Sequence, residues 1–211
     1  MLKRSISRQR GFSMIEIAVT LTMIALLAAA ALPSVGEWIR NVRVRNTAES
    51  LQLGLQQART EALRRNQNVT FWLVAGSDNR LVDNSCALSS ASGSWVIALS
   101  DPTGLCASAP HPTTAPMIVA TQAGGDGGVT VAARSAASTA ASCVRFSGLG
   151  QLAGSSSLPA DDCRTPDQIA TVDVTHSSSG ARRLRIVVSA AGSVRMCDRD
   201  VASSDPRACP A

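Results

Sequence analysis

A basic stub carrying Lys3, Arg4, Arg8 and Arg10 runs into Gly11-Phe12-Ser13-Met14-Ile15-Glu16, and residues 17–36 then hold no charge at all. No other stretch limits the architecture of this chain so much. An uncharged run of about twenty residues makes a helix of roughly 30 Å, the thickness of a bilayer's hydrocarbon core, so the pattern predicts a transmembrane segment. The basic residues on its near side predict that this end stays cytoplasmic. Glu16 stands at the mouth of the run, where an unpaired carboxylate is costly to bury. A helix kept only as an anchor has no need of it, which marks Glu16 as a candidate functional residue. A secretory signal has the same order of basic, apolar and small residues, with residues 28–31 as the approach to a cleavage site. Against that alternative, the uncharged run outlasts the usual signal core and a helical pattern follows almost at once.

That pattern is Val44, Ala48, Leu51, Leu55, Ala58 and Ala62, spaced alternately by four and three, which puts them on one helix face. Glu61 can pair with Arg65 one turn on. The spacing predicts a helix over 12–65, a rod of roughly 80 Å, with Pro33 and Gly36 able to loosen it. Beyond Asn66 the period changes to alternation: Val69, Phe71 and Leu73 on one side of a strand, Thr70, Trp72 and Val74 on the other. Further strands are expected at 95–99, 116–121, 129–133, 143–146, 169–174, 184–188 and 194–197, between Gly-, Ser- and Pro-rich connections. Residues 134–142 read equally as an irregular loop or a short helix. One long helix followed by many short strands describes an α+β chain with a mostly antiparallel sheet.

The leader resembles the class III signal of type IV pilins and type II secretion pseudopilins: a basic stub, Gly then Phe, a glutamate four residues after Phe, and an apolar run. The resemblance extends to residues 53–72, LGLQQARTEALRRNQNVTFW, and 182–198, RRLRIVVSAAGSVRMCD, which are similar to the FimT/FimU minor pilins and the GspH minor pseudopilin. Residues 78–165 match weakly. The resemblance implies that a prepilin peptidase cuts between Gly11 and Phe12 and methylates the new Phe12 amine, and that Glu16 is the family's assembly glutamate. It also implies a type IV pilin-like fold, a long N-terminal helix with a transmembrane first half packed on a β-sheet head. The expected segments are a leader at 1–11, a transmembrane half at 12–36, an amphipathic half at 37–66 and a β-rich head at 67–211. The expected location is the bacterial inner membrane, single-pass with a periplasmic head, and then the tip of a pilus or pseudopilus.

Composition narrows the function. Four of the twenty basic residues precede Gly11, leaving sixteen against fifteen acidic ones, so nothing global marks the processed chain as a nucleic-acid binder. With no Tyr, three Phe and three Trp, an extended base-stacking platform is not expected either. Six cysteines, Cys86, Cys106, Cys143, Cys163, Cys197 and Cys209, all follow the helix, and an even count in an exported chain favours disulfides. Six allow fifteen full pairings. Sequential pairing closes three local loops and is preferred, the last bond pinning the tail. No cysteine pair has the tight spacing of a zinc site, and His111 and His176 stand apart in polar loops, so neither metal nor cofactor is expected. No nucleophile elbow appears, the glycines at 124–128 lack the lysine of a phosphate loop, and Asp161-Asp162 reads as a solvated turn, so the chain is not expected to be an enzyme.

The expected function is that of a FimU/FimT-like minor pilin in pilus initiation and tip assembly. The alternatives are a GspH-like pseudopilin, or a minor pilin that binds DNA for uptake. Expected partners are other minor and major pilins through the helix, the prepilin peptidase, the inner-membrane assembly platform and, in the last case, double-stranded DNA. The DNA candidates are Arg183 and Arg185, which strand alternation sets on one side, and Arg195, which returns on the next strand across the turn, a patch for phosphate contact. Asp198, Asp200 and Asp205 are interleaved, and the DNA-binding pattern has Gly-Arg where this chain reads Gly192-Ser193.

Overall fold

In the computed structural model the described residues are 11–78, 81–124, 128–154, 163, 167–178 and 180–210, with no side-chain description for 30–34. The basic leader residues and Asp161-Asp162 lie outside them. One helix, α1 (Met14–Arg65), precedes the strands. Two compact units share it, Met1–Ile39 and Arg40–Ala211.

Local chemistry sets both ends of α1. Ser13 precedes its first residue and its carbonyl accepts the Ile17 N–H at 3.2 Å, while Glu16 lies in the first turn, where the helix dipole favours an acid. At the other end Asn66 takes φ 50°, a left-handed value that asparagine tolerates. The Gln67 N–H then reaches the Ala62 carbonyl and the Asn66 N–H the Leu63 carbonyl, both at 3.3 Å, a Schellman closure.

Within Met1–Ile39 the apolar side chains of α1 face outward: Met14, Ile15, Leu21, Met23 and Leu27 are all exposed, as is Phe12 just ahead of it. Among the described residues no helix is long and apolar enough to cross a membrane. That finding overturns the transmembrane first half expected at 12–36, and with it the single-pass inner-membrane location. The physical reason lies in the sequence of α1. Its uncharged run after Glu16, residues 17–36, includes Thr20, Thr22, Ser34, Gly36 and six alanines, which offer little apolar surface. From Glu37 the helix turns charged, with Arg40, Arg43 and Arg45 close behind.

In Arg40–Ala211 the six stripe residues, Val44, Ala48, Leu51, Leu55, Ala58 and Ala62, are fully buried. They pack on two sheets built of β1 (Val69–Ala75), β2 (Ala87–Leu88), β3 (Trp95–Ala98), β4 (Ile118–Gln122), β5 (Val129–Ser135), β6 (Cys143–Phe146), β7 (Ile169–His176), β8 (Leu184–Val188) and β9 (Val194–Asp198). The first sheet runs β2-β1-β3-β4 with β6 also on β1; the second runs β5-β7-β8-β9, and every ladder is antiparallel. β1 is buried on both faces. Phe71 and Leu73 join the helix-side core, whereas Trp72 and Val74 join a second cluster with Val96, Ile118 and the Cys86, Cys106, Cys143 and Cys163 side chains.

Three local expectations change. β4 starts at Ile118 rather than Pro116, because Met117 has φ 54°, a left-handed value that ends an extended chain. β2, two residues long, carries no periodic signal. Residues 134–142 form neither a helix nor a free loop: β5 continues to Ser135, and a turn through Ser138 (φ 64°) brings the Thr139 carbonyl to the Ser135 N–H at 2.9 Å.

Candidate functional site

Gly11 and Phe12 lie just ahead of α1 in irregular, exposed chain, and open space surrounds the position of a Gly11 side chain. A peptide bond in that setting is accessible to a peptidase. Glu16 is exposed within the first helical turn, one turn from Phe12.

The six cysteines form three bonds, Cys86–Cys106, Cys143–Cys163 and Cys197–Cys209. The first two lie in the cluster around Trp72 on the outer side of the first sheet. The third draws the tail against β9, where the Asp198 N–H donates to the Arg207 carbonyl at 2.8 Å.

Alternation sorts the second sheet into a helix-side face of Val131, Val172, Val174, Ile186 and Val188, and an outer face that is strongly basic. On that outer face one cross-strand row reads Arg134, Thr171, Val187, Arg195; the next reads Ala132, Asp173, Arg185, Cys197. Arg185 donates to Asp173 through two parallel bonds, Nε to Oδ1 at 2.7 Å and Nη2 to Oδ2 at 2.8 Å, and Arg199 Nη1 approaches Oδ2 at 3.2 Å. Burial pushes the Asp173 carboxyl up, yet the hydrogen bonds from Arg185 and the fields of Arg185, Arg199 and Arg134 outweigh it and hold it below the ordinary carboxylate range. At the end of β8 Arg183 is similarly tied to Asp200: its Nε donates to Oδ1 at 2.6 Å and its backbone N–H to Oδ2 at 2.8 Å. Burial raises the Asp200 carboxyl, but the hydrogen bonds from Arg183 and the charges of Arg183 and Arg199 outweigh it and leave it depressed.

Of the three candidate DNA-binding arginines, then, Arg185 and Arg195 share one face, while Arg183 and Arg185 are each engaged by a carboxylate of this chain. Arg195 makes no ion pair among the described residues. Sequence reasoning missed Arg134, which fell at the edge of a stretch read as irregular, and Asp173. The alternation of 169–174 does carry the signal for Asp173, since it falls opposite Val172 and Val174. His176 is the last residue of β7 rather than part of a loop; its Nδ1 accepts the Ser178 N–H at 3.0 Å, and His111 Nδ1 accepts the Thr114 N–H at 2.9 Å. Among the described residues no group of His, Cys, Asp and Glu is placed to hold a metal ion.

A helix closed by a Schellman turn against two antiparallel sheets, behind a Gly-Phe junction and a first-turn glutamate, defines a pilin-like chain. The family model described as type II transport protein GspH matches residues 47–192, and the chain belongs to that family. Its members are pilins and pseudopilins, typically non-catalytic, and the role of this chain lies in pilus or pseudopilus assembly. The prokaryotic N-terminal methylation motif matches residues 6–32. No curated protein matches the chain. Among solved structures, the type IV minor pilin FimU of Pseudomonas aeruginosa strain PAO1 is similar in two crystal forms. One has 15% identity and a TM-score of 0.45, covering 72% of this chain and 87% of that one. The other has 16% identity and a TM-score of 0.42, covering 72% and 90%.

Proposed function

We propose that this chain is a GspH-like minor pseudopilin, a structural subunit in the assembly of a type II secretion pseudopilus. The observation that carries this reading is the GspH family match over residues 47–192. The methylation-motif match over residues 6–32 supports processing as well: a prepilin peptidase removes residues 1–11 and methylates the Phe12 amine. Glu16, one turn away, then compensates that amine or a neighbour's in the packed bundle, where an unpaired charge is costly. The apolar side chains from Phe12 to Leu27 are exposed among the described residues, and packing against other pilins removes them from water. The remaining partners are the peptidase and the assembly platform, and residues 67–211 form the head.

In cells lacking this chain, secretion of type II substrates should fall while surface pili remain. Loss of pili with secretion intact overturns the reading in favour of a FimU-like minor pilin. Loss of DNA uptake alone favours the DNA-binding branch.

A further inference from the structure

We propose that the outer face of the β5-β7-β8-β9 sheet docks an acidic segment of a partner protein, gripped by Arg134 and Arg195. These two residues end one cross-strand row, three strand spacings or about 14 Å apart. Thr171 and Val187 form an uncharged, half-buried floor between them. Arg134 is held in place by donating from Nη1 to the Ser138 carbonyl at 3.1 Å, which leaves its charge uncompensated by that contact. Arg195 is exposed and unpaired among the described residues. With Arg185 and Arg199 the face presents four guanidiniums against the single carboxylate of Asp173, while Arg183 and Asp200 neutralise each other at its end.

The position of the carboxylates selects the class of partner. Asp173 lies one row from the two prongs and Asp200 lies beyond it, so the positive charge sits at the flanks of the face and is interrupted at its middle. A duplex carries one charge per about 1.7 Å of axis and lays a continuous phosphate line over that middle. An extended polypeptide carries discrete carboxylates instead. At about 3.4 Å per residue, acidic side chains four residues apart span about 14 Å and meet both prongs while clearing Asp173. Charge complementarity of this kind sets register and partner choice more than raw affinity. The inference rests on the head's own charge pattern and holds whichever filament the chain serves.

The test uses the full chain and three probes in the same buffer. They are a fluorescent Ser/Gly peptide with aspartates at every fourth position, the same composition with its aspartates adjacent, and a short DNA duplex of equal net charge. The spaced peptide should bind most tightly, with salt-dependent affinity. Arg134→Gln and Arg195→Gln should each weaken it about threefold and together about tenfold, because sites this far apart act additively. Arg207→Gln, in the tail and paired with Asp205, should leave binding unchanged. Thermal unfolding of each variant should match the parent, which separates a lost contact from a lost fold. Tighter retention of the duplex, equal binding of the two peptides, no peptide binding, or affinities unmoved by the double variant each overturn the proposal.

Discussion

Replacing Gly192 with alanine puts a methyl group where two backbone segments already touch. Gly192 lies in the β8–β9 hairpin at φ 78°, and a Cβ there would fall inside the contact radius of the Gly150 carbonyl oxygen. That oxygen cannot swing aside as a side chain would. It accepts the Arg59 Nε–H at 2.9 Å, the Gly150 N–H donates to Ser147 at 2.8 Å, and the nearby Leu152 N–H donates to the hairpin's Ala190 carbonyl at 3.1 Å. Two costs add: about 1 kcal/mol for an alanine in the left-handed region, and about 2 kcal/mol for forcing an extra methyl into packed backbone. At about 3 °C per kcal/mol for a unit of this size, the melting temperature should fall by about 9 °C. Gly104 isolates the first cost, because it has φ 74° with nothing near the added atom. Gly104→Ala should therefore lose only about 3 °C. Far-ultraviolet circular dichroism of the full chain during heating measures both. Equal losses in the two variants would refute the close approach of the hairpin to the Ser147–Gly150 turn as the source of the cost.

Asp173→Asn should lower stability by about 1 kcal/mol at neutral pH by removing a partly buried, two-point ion pair with Arg185. Because the folded carboxyl is depressed, its contribution is present above the ordinary aspartate value of about 3.9 and is lost as pH falls through the folded value. The gap between parent and variant should thus close in acid, and a gap that widens there contradicts the assignment. Non-reducing peptide mapping should recover the 86–106, 143–163 and 197–209 crosslinks, and removing both members of the last should cost about 3 kcal/mol by loop closure; a free Cys209 thiol refutes the tail staple. Intact mass of the processed protein should begin at Phe12 with one added methyl, a bulky residue at position 11 should block that step, and a terminus after residue 31 would favour an ordinary secretory signal.

The parts of this fold legible from sequence are those governed by local periodicity. The stripe from Val44 to Ala62 follows from 3.6 residues per turn, and the alternation at 69–74, 169–174 and 184–188 follows from the two-residue repeat of a strand. Each is a property of a few consecutive residues, so no tertiary information is needed to read it. The charge-free run at 17–36 is equally plain, but hydropathy counts side-chain area as well as charge. Thr20, Thr22 and the alanines make the described helix less apolar than its lack of charge suggests.

Tertiary structure alone decided which strands are neighbours. Nothing local in β5 says that it pairs with β7 across a long connection, or that the strands divide into two sheets with β6 returning to β1. The arginine face depends on that pairing. Arg134 is distant in sequence from Arg195, and Asp173 reaches Arg185 only because β7 and β8 pair in the observed register. The same holds for Trp72: its alternation put it opposite Phe71, while its burial came with the Cys86–Cys106 and Cys143–Cys163 disulfides packed in the same cluster on the outer side. Periodicity assigns a side chain to a face, whereas the partner across that face is set by chain closure over many residues.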